Sequence, residues 1–147
     1  ILFSRDSQCL RDLFGCMQML NHRALVMWAL DCAAIPLRQF EMKYPKEDRP
    51  RRCLEFSRKW AKGEIRMPSA KQAILGAHAA AKDIGDDAYG ALCHAIGHAG
   101  ATVHAQTHAI GLPLYELTAI VLRCGKEEYT RPVMDRINNY NARLLYW

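Results

Sequence analysis

Between His94 and His108 the sequence reads HAIGHAGATVHAQTH, placing four of the chain's six histidines at spacings of four, six and four residues. Imidazoles at i and i+4 stand one above the other on a helix. His94 with His98, and His104 with His108, could therefore each offer two nitrogens to one Zn²⁺ or similar ion. A third ligand would have to come from another element, and His78 or His22 could supply it. There is no HExxH, no ExxH pair of the di-iron bundle type and no CxxC. A glycine-rich phosphate loop and a nucleophile elbow are also missing. The motifs favour a non-catalytic protein without a cofactor. The alternative is a metal-binding protein or metal-dependent enzyme built on His104, His108 and His78.

Packing offers a plainer use for the same residues. With Asp87 to Gly111 taken as one helix at roughly 100° per residue, all four histidines fall on one side together with Gly90, Ala91, Ala101 and Ala105. Leu92, Ile96, Val103 and Ile110 fall on the other. Small residues let a neighbouring backbone approach closely, and imidazoles between them would bond to carbonyls or carboxylates.

A second group with chemical content is WALDCA, where Asp31 stands in an apolar stretch three residues after Trp28. A buried carboxylate must be paired or lie at a pocket, where Asp31 would form a polar floor with His78 or His104 nearby. The basic loop EDRPRR offers Arg49, Arg51 or Arg52 as the partner, in a salt bridge joining two helices.

The elements that must position these groups all read as helices. Apolar positions recur at three and four, and no alternating β-branched run is long enough for a sheet. The expected fold is all-α, a single bundle of about six to seven helices around the Ala/Gly/His-rich one, with residues 1–147 as one domain. Asp6 or Ser7 caps a first helix and Asn21 a second, which bends near Pro36 and runs to about Tyr44. Pro50 opens the next helix and Gly63 ends it. Ser69 is the expected cap of an alanine-rich helix to Ile84, Gly85 and Asp86 divide it from the histidine segment, and a last helix covers 127–145.

Composition narrows the functional classes further. The 147 residues carry a net charge of +5, but acids and bases are mixed along most of the chain, so no nucleic-acid partner is expected. Six scattered cysteines read as reduced thiols of a cytoplasmic protein. Ala88 to Tyr115 contains no Asp, Glu, Lys or Arg, yet its four histidines and four glycines mark a buried soluble helix, so no membrane association is expected. The chain opens Ile-Leu-Phe without a methionine, as if an upstream piece were removed, and no signal peptide is legible. An amphipathic last helix leaves a homodimer open.

WALDCA, EDRPRR, KWAKGEI, AILGAHAAAK and GATVHAQTHAIGLPLYELTAI, in that order over about Ala24 to Ala119, together resemble the immunity proteins related to the immunity protein five family. The resemblance implies a small all-helical bacterial protein of a polymorphic toxin system, which neutralises a cognate toxin by binding it. Residue by residue, it marks Trp28, Asp31, Arg49, Pro50, Arg51, Trp60, Gly63, His78, His104, His108 and Tyr115 as characteristic positions, with a binding surface or a polar network as their role. His94 and His98 lie outside it, and Pro113 departs from its helix-forming pattern. Since immunity proteins against basic nucleases tend to be acidic, this basic chain implies either a toxin with an acidic or neutral face or a basic surface that lies away from the contact.

Overall fold

Caps and chain breakers divide the chain, whose computed structural model describes all 147 residues, into eight α-helices and no strand. The order is α1 (Arg11–Gln18, preceded by a 3₁₀ turn), α2 (His22–Cys32), α3 (Ala34–Lys43), α4 (Arg49–Ala61), α5 (Met67–Ile84), α6 (Asp87–Ala101), α7 (Gly111–Cys124) and α8 (Thr130–Tyr146). Only Ala33 separates α2 from α3, so these two form the bent arm that Pro36 predicts, and seven rods result. The Asn21 side chain accepts from the Ala24 amide at the start of α2, and Asp86 accepts from Tyr89 at the start of α6. Gly85, at φ 62°, ends α5 in the left-handed conformation that a side chain disfavours. Ser69 caps nothing: α5 begins at Met67, with Pro68 in its first turn, where a missing amide proton costs no hydrogen bond.

Helix α6 runs through the middle, with α3, α4, α5 and α7 packed around it. Its small residues make this possible. A side chain at Gly100 would stand 2.5 Å from Ser57 Oγ and 3.0 Å from Cys53 Sγ, so α4 lies against the bare backbone of α6. The Cys53 thiol points at the Ile96 carbonyl, 3.7 Å away. Helix α8 closes the bundle over α1, α2 and α7. There Trp28, fully buried, meets Tyr140 edge-on at 5.9 Å and donates its indole N–H to the Tyr140 carbonyl at 3.1 Å.

The histidine segment does not continue as one helix to Gly111. Helix α6 stops at Ala101, and Thr102 follows it as the cap residue. Its hydroxyl bonds back to the His98 carbonyl at 3.0 Å, and its own carbonyl accepts from His22 Nε2 at 2.8 Å. Continuing the helix would require that carbonyl to face Gln106 instead. Ala105 is extended, at φ −144° and ψ 122°, and a 3₁₀ segment, Gln106–Ile110, leads into α7. Pro113 then falls in the first turn of α7, where it breaks nothing. The uncharged run from Ala88 to Tyr115 is thus folded back on itself, and no helix is long and apolar enough to cross a membrane.

Candidate functional site

Where α5, α6 and α7 meet, the break after Ala101 gathers His78, His94, His98, His108 and Tyr115 into one half-buried cluster. His78 Nδ1 and His94 Nδ1 are 2.7 Å apart, a hydrogen bond in which one ring donates and the other accepts. The His98 ring centroid lies 5.3 Å from that of His78 and 5.6 Å from that of His108. Tyr115 stacks on His98 at 5.2 Å and 15°, and leans on His94 at 5.1 Å. Two glycines make room for the rings. A Cβ at Gly97 would come within 2.5 Å of His78 Nε2, and one at Gly111 would collide with the His98 ring.

No acidic side chain is in hydrogen-bond or ion-pair contact with these rings, and this sets their charge. Burial, reinforced by the neighbouring imidazoles, pushes His78 and His98 down to about 4, and burial also lowers His94. These three rings are neutral at pH 7. The His78–His94 bond needs at least one of its two rings neutral, because two protonated rings would both be donors.

His104, expected to pair with His108, is elsewhere. It is exposed and stacks on Trp60 at 5.9 Å and 20°, because a spacing of four superposes side chains only on a continuous helix. The set His78, His104 and His108 is therefore not brought together. No group of three or more His, Cys, Asp or Glu side chains is arranged to hold a metal ion. His94 and His98, outside the resemblance, take part where His104 does not.

Asp31 corrects a second expectation. It is only half-buried, and its partners are not the EDRPRR arginines. Arg143 reaches it with Nε at 2.7 Å and Nη2 at 2.6 Å, and the Trp147 indole donates at 3.0 Å. Both partners lie more than 100 residues away along the chain, beyond the reach of any local pattern. Arg49 instead pairs with Glu47 at 2.6 Å and Asp83 at 2.9 Å, and Arg51 holds Glu41 through two bonds of 2.6 Å.

The buried ion pair is one that sequence reasoning missed. Glu116 of α7 and Arg136 of α8, with 1% and 7% of their side chains exposed, meet through bonds of 2.8 and 2.9 Å. Tyr140 donates to Glu116 at 2.6 Å, and Arg136 also donates to the Cys32 carbonyl at 2.7 Å. The signal was present: Glu116 is a lone carboxylate in the apolar run LPLYELTAIVL, as Asp31 is in WALDCA. Another missed group surrounds Asp86, which accepts from Lys43 and Tyr44 at 2.8 and 2.7 Å. Although burial opposes its charge, those bonds hold the Asp86 carboxyl down to about 2.

Inside the bundle, Ser57 Oγ alone among the buried side-chain nitrogens and oxygens lacks a hydrogen-bond partner. A family model described as "Imm-5 like putative immunity protein" matches residues 15–143. That span includes α8 up to Arg143, and hence Arg136, Tyr140 and the partner of Asp31. No curated protein and no solved structure matches the chain.

Proposed function

This chain belongs to the Imm-5 like immunity protein family, and from that premise we propose that it is a non-catalytic cytoplasmic protein that neutralises a toxin by binding it. The match over residues 15–143 is the observation that carries the reading. Two features support it. The imidazoles that would be the natural acid–base or metal-binding groups are engaged with each other, and those at about 4 are poor proton acceptors at neutral pH. The chain is also made of short helices fixed by buried polar networks, with residues 1–147 acting as one helical domain, which suits a rigid surface that binds without large rearrangement. Its charge of +5 would speed encounter with a toxin that presents acidic side chains.

The test is co-expression. A toxin gene adjacent to this one is induced in a susceptible bacterium with and without this protein. Survival that depends on this protein, together with a stoichiometric complex of the two purified proteins, is the expected outcome. Protection that needs only catalytic amounts of it, or no complex, would refute the reading.

A further inference from the structure

A groove of about 930 Å³ runs along the outer face of α2 to the end of α4. Val26, Leu30, Met27, Val103 and the Trp147 indole supply apolar lining. Met27 and Trp147 are 37% and 39% exposed, which is costly for large apolar side chains in water. Along the same groove stand Arg23, Arg58 and Lys62, all exposed. None of the three forms a salt bridge, whereas Lys43, Arg49, Arg51 and Arg136 are all paired elsewhere. The single acid of the groove, Asp31, is already neutralised by Arg143. An apolar floor is thus edged by three uncompensated positive charges.

Resting on the toxin-binding reading, we propose that this groove is the docking site for an acidic amphipathic segment of the toxin, one that presents apolar side chains to Met27 and Trp147 and carboxylates to Arg23, Arg58 and Lys62. The chemistry is selective. A purely acidic segment would leave the apolar floor wet, and a basic amphipathic one would meet like charges. Helix α2 and the end of α4 supply a firm wall, because the buried faces of both belong to the core. The segment would therefore find its surface largely formed.

Two variants test the proposal in the full chain: Arg58→Glu with Lys62→Glu, which reverses one edge, and Met27→Asp, which places a charge on the floor. Arg131→Glu, on α8 and 91% exposed, is the control. In the co-expression assay and in titration against the purified toxin, both groove variants should bind at least about tenfold more weakly, with melting temperatures close to wild type, while the control binds normally. A peptide helix with leucine on one face and glutamate on the other should also bind the wild type and not the groove variants, and its lysine counterpart should not bind the wild type. If the wild type protects and the groove variants protect equally well, the groove proposal fails and the toxin-binding reading stands. If the wild type itself neither protects nor binds, the reading fails first. Groove-dependent binding of a short DNA duplex without peptide binding, or a wild-type dimer that the variants dissociate, would overturn the proposal in favour of nucleic acid or a second copy of this chain.

Discussion

Acidification should unlock the histidine cluster before it affects any other part of the molecule. His78 and His98 are held at about 4, against 6.5 for an unhindered imidazole. Between those values the unfolded chain binds protons that the folded chain refuses, so stability falls as pH falls. Holding one ring at about 4 would correspond to roughly 3.4 kcal/mol at about 1.36 kcal/mol per pH unit. Because the rings are only half-buried, solvent screening lowers this to about 1–2 kcal/mol each. The first ring to protonate also repels the proton that would enter the second. A loss of about 2–3 kcal/mol for the cluster between roughly pH 6.5 and pH 4.5 follows. Carboxylates do not mask it, since Asp86, at about 2, and Glu47, also lowered, lose their stabilisation at more acid pH. Urea unfolding followed by circular dichroism across this range measures the loss directly. His98→Phe, which keeps a ring against Tyr115, should flatten the profile. A stability that stays level from about pH 7.5 to about pH 5, or a His98 ring resonance titrating near its ordinary value, would refute the argument.

Four further outcomes are expected. Glu116→Leu leaves Arg136 charged and buried without its partner, so it should cost about 3–5 kcal/mol in urea unfolding, and adding Arg136→Met should restore most of that. Asp31→Ala removes a half-exposed pair and should cost about 1 kcal/mol or less by the same measurement. Gly111→Ala drives a methyl group into the His98 ring and should destabilise by about 1–3 kcal/mol, with perturbed His98 and Tyr115 resonances. Burial pushes the Cys32, Cys53 and Cys93 thiols up to about 12, so a thiol reagent should modify the exposed Cys9, Cys16 and Cys124 in the native protein and the others only after unfolding.

Local chemistry made much of the fold legible in the sequence. The helical period, the Asn21 and Asp86 caps, the stop at Gly85, the first-turn Pro50 and the bend near Pro36 act over a few residues, and each stands where local rules place it. The small residues of α6 also announced a helix that neighbours approach closely. The motif order carried the family resemblance, and the match over 15–143 bears it out.

Tertiary structure decided which polar groups meet. His104 and His108 part at the break after Ala101, where the Thr102 carbonyl accepts from His22, 80 residues away. The same break turns His98 toward His108 and gives Trp60 to His104. Asp31 and Glu116 look alike in sequence, each a single acid in an apolar run. The path of α8 sets one against half-exposed Arg143 and the other against buried Arg136. Helical propensity and capping are short-range, so a sequence states them openly. The pairing of charges and imidazoles is set by packing between segments far apart in the chain, and it exists only once the helices are in place.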